Sequence, residues 1–128
     1  MTHKVMVADN DFDNRTIAKE SLEASGYDVI LATDGEEALA LIQSQRPEVV
    51  LLDLSMPKMN GWEVAKRVRE IPEVANIAIV AFTAHALAGN ELKARAAGCD
   101  DYISKPCMPR DLVAKAAFWI EKKKAEAA

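Results

Sequence analysis

Short apolar runs alternate with longer stretches of helical period along the whole 128-residue chain. Residues 4–9, KVMVAD, read as a strand, and 12–26, FDNRTIAKESLEASG, as a helix that Gly26 stops. A second strand spans 27–32. The next helix opens with Asp34 three residues before Glu37, a capping-box-like start, and Pro47 forbids its continuation. Residues 48–53, EVVLLD, read as a third strand, apolar at nearly every position as expected for one covered on both faces.

The pattern then repeats. A helix over 61–71 and an apolar strand over 77–82 are followed by a helix over 86–98, with Gly98 placed to end it despite Gly89 inside it. A short strand covers 100–104, and Pro109 fits the first turn of a last helix running to about Lys124. The charged, alanine-rich end, about 123–128, is expected to fray. Five β–α units without a repeat or low-complexity linker predict one domain over 1–128. Its class is α/β, a five-stranded parallel sheet with helices on both faces and right-handed crossovers. In such sheets ligands bind beyond the carboxyl ends of the strands.

Composition narrows the function classes. Half the residues are apolar, as in a globular protein, and the net charge of −4 gives no basic surface for nucleic acid. No apolar run is long enough to span a bilayer, and Asp9 interrupts the N-terminal apolar segment, unlike a signal peptide. The expectation is a cytoplasmic chain without membrane insertion. Cys99 and Cys107 match neither zinc-ligand spacing nor a disulfide framework, and are expected as reduced packing thiols.

The strand ends carry the chemistry. The first strand ends in Asp9, Asn10 and Asp11, the third in Asp53 and the fourth in Thr83, while the fifth leads into Lys105 and Pro106. Such residues also cap helices and make turns, and Asp11 suits the N-cap of the first helix. Asp53 is harder to explain that way, because five of the six residues from Val49 to Leu54 are apolar and an unpartnered buried carboxylate is costly. Crowded carboxylates need a proton or a cation, and a hard divalent cation such as Mg²⁺ works with oxygen ligands beside phosphate. Neither GxxxxGK[ST] nor GxGxxG is present to bring a nucleotide. What remains is a phosphoryl group placed on a carboxylate of the protein itself.

In combination and order, the acidic cluster after the first strand, LLDLSMPKMNG, AFTA and YISKP resemble the receiver domain of two-component response regulators, over essentially the whole chain. The resemblance implies a flavodoxin-like (βα)5 fold with strand order 2-1-3-4-5. It implies that Asp53 is the phosphoacceptor, taking its phosphoryl group from a sensor histidine kinase, a histidine phosphotransfer protein or a small donor. Asp9, Asn10, Asp53 and the backbone carbonyl of Ser55 would hold Mg²⁺ or Mn²⁺. Lys105 would pair with the phosphoryl oxygens and Thr83 would hydrogen-bond one of them. Thr83 and Tyr102 would form the switch. Ser55 and His85 would tune hydrolysis, His85 either orienting a water or shielding the site. The Lys105–Pro106 bond is typically cis in the family. The readout face would be the fourth helix, fifth strand and fifth helix, roughly 86–97, 101–104 and 110–122. Such a domain is a phosphoacceptor switch, not a turnover enzyme, and is expected as a monomer or weak dimer.

One position departs from the family pattern. Receivers usually carry two adjacent acids after the first strand, and here the pair is Asp9–Asn10. An amide oxygen coordinates but removes one negative charge, so Mg²⁺ binding is expected to be weaker unless Asp11 helps. Asn10 therefore also motivates a phosphorylation-independent docking module. A receiver fragment of a hybrid kinase is a further alternative. A flavodoxin-like FMN binder would want a phosphate loop where DNDFDN stands, and an aspartyl phosphatase a second Asp where Ser55 stands. Trp62 reads as packing, and Trp119 as either core or docking patch, with core favoured.

Overall fold

The computed structural model describes residues 3–83, 88–105 and 107–127. Five strands and five helices alternate among them: β1 Lys4–Ala8, α1 Phe12–Ala24, β2 Asp28–Ala32, α2 Gly35–Gln45, β3 Val49–Leu52, α3 Gly61–Arg69, β4 Ala78–Thr83, α4 Ala88–Ala97, β5 Asp101–Ser104 and α5 Pro109–Ala127. The strands form one parallel sheet in the order β2-β1-β3-β4-β5, the flavodoxin-like arrangement.

Alternation within the central strands divides the core. Met6, Ala8, Val50, Leu52, Ile79 and Ala81 face one side, against Ala38 and Ile42 of α2, Val64 and Val68 of α3, and Ala94 of α4. Val5, Val7, Leu51, Val80 and Phe82 face the other, against Leu22 of α1 and Leu112, Ala116 and Trp119 of α5. β1, β3 and β4 are therefore apolar at every core position because helices cover both faces. Trp119 is core, and Trp62 packs at the edge of the opposite cluster. Cys99 and Cys107 are free thiols. Burial pushes the Cys99 thiol up to about 12, so it acts as an apolar packing group.

The punctuation works as its chemistry suggests. Gly26 and Gly98 take left-handed backbone at φ +92° and +116° just beyond α1 and α4. Asp34 accepts the Glu37 N–H at 2.8 Å, while Glu37 reaches back to the Thr33 N–H at 2.6 Å. This reciprocal cap is shifted one residue from the usual box. α5 runs to Ala127 through residues, Lys, Ala and Glu, that all favour helix. No helix among the described residues is long and apolar enough to cross a membrane.

Two polar clusters at the amino edge of the sheet fix the helices that border β5. The Arg69 guanidinium donates to the carbonyls of Gly98 (2.8 Å), Ala75 (2.8 Å) and Ile77 (2.6 Å) and to the Asp100 carboxylate (2.8 Å). Asp101 is buried and accepts from Lys115 Nζ at 2.7 Å and Trp119 Nε1 at 2.8 Å, tying α5 to β5. Burial opposes the charged form of Asp101. Hydrogen bonds from Lys115, Trp119 and the Tyr102 N–H outweigh it and hold the carboxyl below its ordinary value of 3.8. A lowered folded value means that this contribution is complete above 3.8 and is lost as pH falls through the folded value. Asp101→Asn should thus cost about 1–3 kcal/mol at pH 7, and the deficit should narrow at pH 3. Urea midpoints of both proteins at the two pH values check this. An equal deficit at both would contradict it.

Candidate functional site

Strand register places the site before any side-chain interaction acts. Ala8 of β1 lies beside Leu52 of β3, so the residues that follow, Asp9 and Asp53, leave neighbouring strands side by side. The backbone ladder continues one step further. The Asp9 N–H donates to the Ala32 carbonyl at 3.0 Å, the Asp53 N–H to Ala8 at 2.9 Å, and the Lys105 N–H to Thr83 at 2.8 Å. Asp9, Asp53 and Thr83 are all buried, Asp9 at 1% exposure and Asp53 at 6%.

Two buried carboxylates at adjacent strand ends require a counter-charge, and Lys105 provides it. Its Nζ lies 2.6 Å from Asp9 Oδ2 and 3.3 Å from Asp53 Oδ2. The Phe82 ring lies 4.9 Å from the same ammonium, on a face that attracts a cation. The other two carboxylate oxygens accept backbone donors: Asp9 Oδ1 takes the Asp11 N–H and Asp53 Oδ1 the Ser55 N–H, each at 2.9 Å. Every oxygen of the pair thus has a donor. Burial nevertheless raises the Asp9 pKa above 3.8, since the Lys105 and Asp11 hydrogen bonds compensate only in part and the Asp53 charge adds to the rise.

Asn10 and Asp11 are exposed in the turn after β1. The Asp11 carboxylate accepts the Asn14 N–H at 2.9 Å and caps α1, so using it as an additional metal ligand would take an oxygen from that cap. Ser55 is exposed beside Asp53. Tyr102 is half-buried near the α2–α3–α4 cluster, and burial and the Glu91 carboxylate of α4 push its phenol up. His85 and Pro106, with the expected cis bond, lie outside the described residues.

Two residues near this centre were not evident in the sequence pattern. Phe82 reads as an ordinary strand residue, yet its ring lines the Lys105 ammonium. Arg15 donates from its guanidinium to the Asp9 backbone carbonyl at 2.8 Å, holding the turn that carries Asp9 to Asp11. Its place one turn after the Asp11 cap was the available signal.

Asp9, Asn10, Asp53 and the Ser55 carbonyl offer only oxygen donors, the chemistry that a hard divalent cation takes. Among the described residues, no group of three or more His, Cys, Asp or Glu side chains is placed to hold a metal ion. A carboxylate in place of Asn10 would add a third acid to this turn.

The chain is similar to known proteins over most of its length. A family model described as the response regulator receiver domain matches residues 5–117. The polar-differentiation response regulator DivK of Brucella ovis is 38% identical over 106 residues, covering 83% of this chain and 86% of the relative. The CheY-like receiver domain protein of Methanospirillum hungatei superposes with a TM-score of 0.91 at 28% identity, covering 98% of this chain and 99% of that one. Chemotaxis response regulator CheY4 of Vibrio cholerae gives 0.88 at 29% identity, covering 93% and 99%.

Removing the shared cation should show in the titration of Asp9. Lys105→Met leaves two carboxylates facing each other, so the Asp9 titration should move further up from its already raised position. Carboxyl-carbon NMR over a pH series measures it. An unchanged or lowered value would show that Lys105 is not what compensates the pair.

Proposed function

The chain belongs to the response regulator receiver domain family of two-component signalling, and from that premise we propose that Asp53 is its phosphoacceptor. The observation that carries the reading is the ammonium shared between Asp9 and Asp53 at the carboxyl edge of the sheet. Of the two carboxylates, Asp53 has the longer contact to Lys105, 3.3 Å against 2.6 Å, so it is the one more readily freed to act as nucleophile.

In the proposed reaction, an Asp53 oxygen attacks the phosphorus of a phosphohistidine or small acyl phosphate. A new O–P bond forms as the donor's bond to phosphorus breaks, and the donor group leaves with its electron pair. Lys105 then transfers from carboxylate to phosphoryl oxygen with little movement of its stem. The Thr83 hydroxyl, buried at the end of β4, hydrogen-bonds another phosphoryl oxygen. Asp9, Asn10, Asp53 and the Ser55 carbonyl would hold Mg²⁺ (or Mn²⁺), which supplies charge neutralisation for the transferring group. The chain promotes its own phosphorylation and hydrolysis, and is a switch, not a turnover enzyme. Ser55 beside the acyl phosphate, and His85, would set its lifetime.

The donor is a sensor histidine kinase or a histidine phosphotransfer protein. Output runs through Thr83 and Tyr102 to the face formed by α4, β5 and α5, where Leu92 is 73% and Phe118 55% exposed. A phosphoryl group shifts this face only by binding one of two conformations better.

Asn10 supports a second reading, docking without phosphorylation, because it puts an amide where receivers usually carry a second acid. One experiment separates the two. Incubation with a small acyl phosphate, followed by intact mass, should give a single adduct that requires Mg²⁺ and is absent in Asp53→Asn. Asn10→Asp should lower the Mg²⁺ concentration needed. An adduct that persists in Asp53→Asn would contradict the assignment, whereas no adduct with any donor, kinase included, would favour the docking module.

A further inference from the structure

The loop from Asp53 to Gly61 carries Ser55, and its middle rests on the start of α2. The contact is made possible by an absent side chain. A Cβ at Gly35 would lie 1.7 Å from the Met59 carbonyl oxygen, 2.5 Å from its carbon and 2.7 Å from the Met59 Cβ. Gly35 is buried and does not use the left-handed backbone that favours glycine, so it is the close approach that requires it. Further contacts join the same two segments. The Gly35 N–H points to the Pro57 carbonyl at 3.4 Å, and Lys58 Nζ lies 3.6 Å from the Asp34 carboxylate. The loop is tightly turned there, with Lys58 at φ +67° and the Met59 N–H donating to Pro57 at 2.7 Å.

We propose that Gly35 is a positioning residue for phosphorylation: by letting the Met59 carbonyl seat against α2, it holds the loop that keeps the Ser55 N–H on Asp53. It does not itself touch the carboxylate. The far end of the loop is fixed separately, by the Gly61 N–H on the Leu54 carbonyl at 3.1 Å and by close approach of Gly61 to Asp53 and Leu54. The middle therefore depends on α2. An alanine at 35 must push the Met59 oxygen from 1.7 Å to beyond 3.0 Å, a displacement of more than about 1 Å. α2 itself tolerates the change, since alanine is the better helix former.

The inference rests on Asp53 being the phosphoacceptor, and its test has a readout that does not. In Gly35→Ala, phosphorylation by a small acyl phosphate at saturating Mg²⁺ should slow at least ~10-fold. Amide hydrogen exchange at Ser55 should accelerate in the unphosphorylated, metal-free protein while core amides of β1 and β3 stay protected. Gly35→Ala with Met59→Gly, compared with Met59→Gly alone, should recover part of both, because the glycine lets the loop backbone move aside. Asp34→Ser keeps a capping oxygen but loses the Lys58 ion pair, and should speed Ser55 exchange about twofold without any clash. It therefore decides the matter if Gly35→Ala does not fold. Wild-type phosphorylation rates with unchanged Ser55 exchange would overturn the proposal, as would protection lost uniformly across the core. A wild-type protein that takes no phosphoryl group would count against the phosphoacceptor reading instead, and Ser55 exchange would still decide the role of Gly35.

Discussion

One ammonium shared by two buried carboxylates is the constraint around which the carboxyl edge of this molecule is organised. Asp9 and Asp53 end strands that the sheet places side by side, where water cannot solvate them and their charges repel. Lys105 reaches them from the end of β5, past the Phe82 ring, and hydrogen-bonds both, the contact to Asp9 being the shorter. The arrangement is satisfied but not rigidly so. The 3.3 Å contact to Asp53 is the weaker half, and a phosphoryl group arriving there would present the same ammonium with better-placed negative oxygens.

The rest of the fold serves to hold four strand ends and one loop in register. Helices on both faces bury β3, β4 and all of β1 after Lys4, so the sheet is a stiff frame for the side chains at its edge. At the opposite edge, Arg69 joins the end of α3 to the turn before β5, and Asp101 joins β5 to α5. These clusters contribute no chemistry to the site. They fix the helices beside β5. The close approach of Gly35 to Met59 does the same for the loop beside Asp53.

Much of this was legible in the chain's own pattern. Unbroken apolar runs at β3 and β4, helical segments between them, a cap at Asp34 and a first-turn proline at Pro109 determine a doubly covered parallel sheet, and the carboxyl ends of its strands then locate Asp9, Asp53, Thr83 and Lys105. Sequence pattern could not show which cation neutralises the pair. The pattern suggested a divalent ion for that role and gave Lys105 to the phosphoryl oxygens, whereas the distances place the lysine ammonium on both carboxylates. Phe82, Arg15 and Gly35 were missed for a related reason. Each acts through a contact with a residue of another element or with backbone, and side-chain type alone carries no sign of it.

The most direct measurement is a high-resolution structure with beryllium fluoride, which mimics a phosphoryl group on a carboxylate. The account predicts beryllium bonded to an Asp53 oxygen, with Lys105 Nζ moved from Asp9 to within hydrogen-bond distance of a fluorine. An adduct at another residue, or one on Asp53 with Lys105 still paired to Asp9, would contradict it.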